Sequence, residues 1–207
     1  MAITYPLTFP TTNAPADIVW GGESVVSSTS SPFTGEMEVQ QFDGQIWHGT
    51  VNYPPLERAD AEEIVSFLLE LDGMYGTFLL SPPGAGAPRG AAGGTPLVAG
   101  GSQTGTDLDT DGWPVDTEVL LKGDFLQIGT GLAARLYKSL IDVTSDGSGD
   151  ATLTLWPRIK ASSSPADNAP IVTSAAAGLF RLAANRNDWT VDTALHYGIS
   201  FAFRSEP

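Results

Sequence analysis

The sequence has no cysteine among its 207 residues. Disulfides, thiolate metal sites and cysteine nucleophiles are therefore excluded. Basic residues are also scarce, because 10 Lys and Arg stand against 24 Asp and Glu and give a formal net charge of −14. Neutralising the phosphates of a nucleic acid needs basic patches, so this balance argues against nucleic-acid binding. An acidic surface can still lie beside DNA as a wall that repels it.

Long apolar runs are missing as well. No segment approaches the ~20 apolar residues that a membrane-spanning helix needs. The first ten residues contain no basic residue and no unbroken apolar run, so we expect no signal peptide there. The chain is instead rich in turn-forming residues, with 23 Gly and 15 Pro. Together with many Ser, Thr and Val residues, this composition predicts short strands joined by turns.

A strand, a helix and a second strand follow one another between residues 46 and 80. Residues 46–53 alternate, which predicts a half-buried strand with Trp47, Val51 and Tyr53 on one face. The next segment opens with acids, and Asp60 and Glu63 have the spacing of a capping box. It continues with an apolar stripe that predicts burial against a sheet, formed by Ile64, Phe67, Leu68 and Leu71. Residues 76–80 predict the second strand, which Pro82 ends.

The rest of the chain is strand-like apart from two loops. Residues 82–106, rich in Gly, Ala and Pro, predict a connector or an extended arm that buries little apolar surface. Residues 161–170 predict a second loop. The predicted strands are a hairpin of residues 119–122 and 125–128, then 135–143, 151–156 ending at Pro157, 179–182, 189–192 and 197–204.

The organisation of these segments predicts two units. The first block has too few strands for a closed core, and unpaired edge strands invite aggregation. We therefore expect residues 197–204 to pair in the sheet that contains residues 46–53 or 76–80. The predicted fold is mainly β. One unit, residues 1–83 with 166–207, carries one flanking helix, and residues 84–165 form an inserted small β-barrel or sandwich with the Gly-rich arm.

One motif has the spacing of a calcium-binding loop. Asp107, Asp109, Asp111 and Gly112, followed by Glu118, match the oxygen ligands and the sharp turn of such a loop. The flanking segments are a Gly-rich stretch and a Val-Leu-Leu strand rather than helices. Calcium binding and an acidic surface turn are therefore both open, and the second is favoured.

No other motif carries a recognisable chemistry. Gly84 to Gly86 and Gly129 to Gly131 do not open helices, so we interpret them as turns rather than phosphate loops. His48 and His196 have no evident catalytic partner, and no nucleophile elbow is present. We therefore expect no enzyme activity, no catalytic residues, no metal and no cofactor.

Five tryptophans are candidates for the core, for a subunit interface or for a sugar-binding platform, namely Trp20, Trp47, Trp113, Trp156 and Trp189.

Several runs of residues, taken together and in order, resemble tail proteins of long-tailed bacteriophages and prophages. The runs are Ser31-Pro32-Phe33-Thr34-Gly35 through Trp47, Tyr53-Pro54-Pro55-Leu56-Glu57-Arg58-Ala59-Asp60-Ala61, Gly73-x-x-Gly76-Thr77-Phe78-Leu79-Leu80-x-Pro82, Thr110-Asp111-Gly112-Trp113-Pro114, Gly123-Asp124-Phe125-Leu126-Gln127-Ile128-Gly129, Arg135-Leu136-Tyr137-Lys138, Asp142-Val143-Thr144-Ser145-Asp146-Gly147, Gly178-Leu179-Phe180-Arg181-Leu182-Ala183 and Tyr197-Gly198-Ile199-Ser200-Phe201.

Within that group the chain is similar to distal tail proteins. The resemblance implies a tail-tube-like β-sandwich flanked by a helix, assembled as a six-fold ring that joins the tail tube to the baseplate hub around the DNA channel. It also implies a second β domain that projects outward, and the tail tube, baseplate hub and tape-measure proteins as partners. The resemblance implies further that DNA passes through without specific binding, that no membrane is involved, and that the protein belongs to the virion after assembly in the host cytoplasm. The alternatives are another tube or hub-adaptor ring protein and a carbohydrate-binding module for host recognition.

Overall fold

A computed structural model describes residues 3–206, so residues 1, 2 and 207 of the first predicted unit lie outside the described part. This part of the chain is mainly β, as the sequence predicts, with about 40% of residues in strands and 9% in helices. Its α-helix, α1, spans Arg58–Glu70. The strands are β1 (Leu7–Thr8), β2 (Asp17–Glu23), β3 (Val26–Ser30), β4 (Met37–Gln41), β5 (Ile46–Asn52), β6 (Phe78–Leu80), β7 (Leu97–Val98), β8 (Gly105–Asp111), β9 (Glu118–Leu120), β10 (Phe125–Ile128), β11 (Arg135–Ser139), β12 (Val143–Thr144), β13 (Ala151–Ile159), β14 (Ile171–Val172), β15 (Gly178–Leu182), β16 (Trp189–Val191) and β17 (Tyr197–Ser205).

The first sheet joins the two ends of the chain. Its order is β1-β6-β15-β17-β5-β2, and β16 pairs with the free part of β17. Strand β17 runs antiparallel to β5, with Ser200 opposite Asn52 and Arg204 opposite His48. The predicted return of the last strand to the first sheet is therefore confirmed.

The second sheet is nearly closed. Its order is β14-β10-β11-β13-β8-β7. The N–H of Val98 donates to the carbonyl of Ala169 at 3.0 Å, and the N–H of Ile171 donates to Pro96 at 3.0 Å, so the two ends of the sheet meet. Such closure leaves little unpaired edge. Strand β14 belongs to this sheet although it follows residue 165, where the predicted insertion ends.

Helix α1 lies against one face of the first sheet. Ile64, Phe67, Leu68 and Leu71 are all buried, as the apolar stripe predicts. They share a core with Phe78, Phe180 and Phe203 from the sheet. The predicted capping box is wrong, because Glu57 is the N-cap and no side chain caps the helix. Within residues 3–206 no helix is long and apolar enough to cross a membrane.

Three local predictions after residue 81 are wrong. Strand β9 pairs with β12 rather than with β10, so residues 119–128 do not form a hairpin. Strand β13 continues through Pro157, because its pairing with β8 is irregular between Thr154 and Ile159 and leaves the proline without a required ladder bond. The Gly-rich stretch is not an extended arm, since Ala85 and Val98 are buried and β7 pairs with β8.

The two sheets meet at Trp47. Its indole Nε1–H donates to the carbonyl of Leu136 in the second sheet at 2.9 Å. Its ring packs edge-on against Trp156 of β13, with 4.3 Å between the ring centroids. Gly22 lies beside this pair and has no room for a Cβ, which would lie 2.3 Å from Cη2 of Trp156. The tryptophan pair therefore fixes the sheets to each other.

Candidate assembly surfaces

An exposed hairpin projects between β2 and β5. Strands β3 and β4 form a two-stranded sheet of their own, and all ten of their residues are exposed. We call residues 26–41 the arm. The turn at its tip is closed by Ser31, whose Oγ accepts from the N–H groups of Phe33 and Thr34 at 3.3 Å each. Phe33 itself is 95% exposed.

The arm is amphipathic. Residues opposite each other on paired strands share a face, and the pairs Val26 with Gln41, Ser28 with Val39 and Ser30 with Met37 alternate with wholly polar pairs. The apolar side chains Val26, Met37 and Val39 therefore lie on one face, each more than half exposed. An isolated hairpin is marginally stable in water, and a clustered apolar surface marks an interaction site. This face has no partner within residues 3–206.

The base of the arm is anchored at the junction of the two sheets. The guanidinium of Arg158 in β13 donates to Gln41 Oε1 at 2.8 Å and lies 3.8 Å from a carboxylate oxygen of Asp43. Its backbone N–H donates to Gln45 Oε1 at 2.8 Å. These contacts hold the direction in which the arm leaves the body, although the arm itself contacts no core.

A second candidate surface is the face of the first sheet opposite α1, which we call the open face. Strands β2, β5 and β17 bring small and polar residues together there in three cross-strand rows: Asp17–Asn52–Ser200, Val19–Thr50–Ala202 and Gly21–His48–Arg204. The first row is hydrogen-bonded across the strands, since Asn52 donates to Asp17 at 2.7 Å and Ser200 donates to Asn52 at 2.6 Å. The formal charges of Asp17 and Arg204 cancel, so these three rows carry no net formal charge.

The acidic run forms a strand rather than a calcium loop or a surface turn. Asp107, Asp109 and Asp111 lie in β8, and two of them accept hydrogen bonds from the facing strand, Asp109 from Thr152 at 2.7 Å and Asp107 from Thr154 at 3.0 Å. An extended backbone cannot wrap these carboxylates around one ion. No group of three or more potential ligands fits a metal ion in residues 3–206.

The histidines and tryptophans lie apart from any catalytic arrangement in the described chain. His48 is exposed on the open face, and Nδ1 of the exposed His196 lies 3.3 Å from Asp192. Trp47 and Trp113 are buried, and Trp20 and Trp156 pack half-buried. Trp189 is 37% exposed. The four core tryptophans therefore do not form a sugar platform.

Sequence reasoning missed the arm and the open face. The arm carries a strand signal only in Met37 to Gln41, and serines interrupt its other strand. Comparisons of the sequence with models of protein families and with curated proteins found no match.

Proposed function

We propose that this protein is a structural ring protein of a bacteriophage tail tip, of the distal tail protein type. It would connect the tail tube to the baseplate hub around the DNA channel. The observation that carries this proposal is the apolar face of the arm, which needs a partner outside its own chain. A contact between two different surfaces of identical subunits closes a ring when its rotation closes. The arm of one subunit against the body of the next is such a contact.

The open face suits the wall of the channel. Its three rows carry no net formal charge and consist mostly of short side chains, with His48 and Arg204 as the longer ones. The helix occupies the opposite face, which would be the outside of the ring. DNA passing such a wall meets few cations that could hold its phosphates. The net charge of −14 adds a general repulsion of the polyanion. The tail tube, hub and tape-measure partners and the virion location belong to the same proposal, as does a purely structural, non-enzymatic role.

Assembly of the purified protein tests the proposal. We expect native mass measurement and electron microscopy to reveal closed rings that form as the concentration rises. The double variant Met37→Glu with Val39→Glu places two charges on the apolar face of the arm. Because burying an unpaired charge in an interface costs several kcal/mol, we expect this variant to remain monomeric.

The opposite face of the same hairpin supplies the matched control. Ser27→Glu with Gln40→Glu adds the same charge to the same strands but leaves Val26, Met37 and Val39 in place. We expect this control to form rings like the unaltered chain. A protein that stays monomeric at its highest soluble concentration, or rings that survive the charges on the apolar face, would contradict the assembly mode.

The channel wall makes a second prediction, which concerns DNA. We expect rings of the unaltered protein to give no gel shift of duplex DNA, even at low salt where phosphate contacts are strongest. The variant Thr50→Lys with Ser200→Lys places two lysines per subunit on the open face. Since a ring multiplies each contact, we expect that variant to retain DNA in a strongly salt-dependent manner. Retention of DNA by the unaltered rings would rule out the proposed role of this face.

A further inference from the structure

A recess beside Trp47, where the two sheets meet, is lined by three cationic side chains. It is lined by Arg135 of β11, by Arg158 of β13 and by Lys160 immediately after β13, together with polar groups of Gln45 and Ser163. Its cavity volume is about 30 Å³. A buried site needs roughly 10–15 Å³ for each water, so this space holds about two water-sized atoms. The recess can therefore take two oxygen atoms of a ligand but not an organic ring.

Two of these cations, Arg135 and Lys160, have no ion-pair partner in the described residues. Arg158 is paired with Asp43, and the acid that lines the recess, Glu206, is already bound by Arg181. Neither Arg135 nor Lys160 has a carboxylate within the 4.0 Å of an ion pair anywhere in residues 3–206.

The guanidinium of Arg135 is also incompletely hydrogen-bonded. Its Nη1 donates to the carbonyl oxygens of Leu132 at 3.0 Å and Ala134 at 3.1 Å. Its Nε–H is buried and has no partner in the described chain. A buried donor without an acceptor costs free energy, and such exceptions call for an explanation. Arg135 lines the recess, so an anion bound there against its guanidinium would supply an acceptor that the described chain does not.

Lys160 is held in an environment that disfavours its charge. Partial burial lowers the pKa of its ammonium group, nearby Asp43 raises it, and the positive charge of Arg135 lowers it again. The net direction is downward. Like charges held together at partly buried positions are typical of sites that receive an opposite charge. An anion bound in the recess would therefore offset the lowering of the Lys160 pKa and also accept from the unpartnered Nε–H of Arg135.

We propose that the recess binds a phosphate-type oxyanion between Arg135 and Lys160. The planar guanidinium donates to two oxygens at once and the ammonium acts as a point charge, which is how these side chains bind phosphate. Two cations without an ion-pair partner match the dianionic form. The cavity has room only for about two oxygen atoms. The ligand is therefore inorganic phosphate or the terminal phosphate of a larger molecule whose remainder stays in solvent.

Thermal unfolding in phosphate tests this site. We expect inorganic phosphate to raise the Tm in a saturable manner at constant ionic strength, with sodium chloride as the balancing salt. Sodium acetate, a monoanion, should have a smaller effect. Losing one charged hydrogen bond weakens binding about tenfold or more, so Arg135→Gln and Lys160→Gln should each shift the calorimetric Kd by that factor. Lys122→Gln, an exposed lysine outside the recess, is the control and should bind like the unaltered protein.

The source of the phosphate is settled by a parallel titration with a nucleoside monophosphate. Tighter binding than that of inorganic phosphate identifies the end of a larger molecule, and equal or weaker binding identifies the free ion. Circular dichroism without phosphate shows whether each variant folds. Should Arg135→Gln not fold, Lys160→Gln decides, since the Lys160 side chain makes no hydrogen bond within the described residues. The absence of saturable stabilisation, or a Lys160→Gln protein that binds phosphate normally, would overturn the proposal.

Discussion

Replacing Leu68 by alanine is expected to lower the free energy of unfolding by about 2–5 kcal/mol, the range for a truncated core leucine. Leu68 is 1% exposed and belongs to the core that α1 shares with the first sheet. That core also contains closely packed aromatic rings, such as Phe78 and Phe180, so we expect it to collapse only partly into the space that the leucine leaves. Urea unfolding followed by circular dichroism measures the loss.

The adjacent residue is a matched control for Leu68. Leu69 lies on the same helix but is 62% exposed. Leu69→Ala makes the same chemical change at a solvent-facing position, so we expect an effect within about 0.5 kcal/mol. Both substitutions are best measured in the Met37→Glu, Val39→Glu background, because ring assembly would make the apparent stability depend on concentration. Equal losses for the two leucines would mean that the helix does not pack through its predicted stripe.

The parts of the fold that the sequence predicted correctly show a regular apolar pattern over a few neighbouring residues. The strict alternation of residues 46–53 and the stripe of α1 each reflect one buried face, and both were confirmed. The pairing of β17 with β5 was also predicted, because a well-patterned last strand needs a neighbour. An element that buries one face has apolar residues at regular intervals in its sequence, whichever other element packs against that face.

The wrong predictions concern contacts between distant segments. The acids of β8 have calcium-loop spacing, yet pairing with Thr152 and Thr154 makes them one face of a strand. Residues 119–128 have the pattern of a hairpin, with two apolar runs separated by Gly123-Asp124. The turn there is instead organised by Asp124 and its contacts with residue 89. Neither partner is visible from the local spacing.

The candidate surfaces were less predictable than the core. The apolar face of the arm exists only in the register that pairs Ser28 with Val39 and Ser30 with Met37, and the six-residue turn sets that register. The open face depends likewise on the order of β2, β5 and β17. An interface with another molecule, including a second copy of this chain, pairs residues that no short-range spacing links, so the sequence does not show which surfaces meet.

Replacing Asp124 by asparagine is expected to destabilise the protein by about 3 kcal/mol at neutral pH, since hydrogen bonds to a charged group contribute about 1.5–3 kcal/mol each. The side chain is buried. One carboxylate oxygen, Oδ2, accepts three backbone N–H groups, from Leu121 at 2.9 Å, Arg89 at 3.0 Å and Gly90 at 3.1 Å. The other accepts from Nε of Arg89 at 3.1 Å. An amide nitrogen cannot accept, so one set of these donors loses its acceptor whichever way the asparagine side chain is turned.

The same contacts make this stabilisation depend on pH. Burial on its own raises the pKa of Asp124, but the N–H groups of Leu121, Arg89 and Gly90 and the Arg89 side chain outweigh it and lower the pKa below the ordinary value. A carboxyl group with a lowered folded pKa stabilises the fold above its unfolded pKa of about 3.9, and this contribution is lost as the pH falls through the folded value. The difference in the free energy of unfolding between the unaltered protein and Asp124→Asn, measured in urea melts, should therefore be full at pH 7 and shrink below about pH 4.

The control is Asp116→Asn, at an exposed turn, which should change stability by less than about 0.5 kcal/mol at either pH. A pH-independent difference for Asp124→Asn would mean that the carboxylate charge does not hold the Gly-rich stretch against the turn.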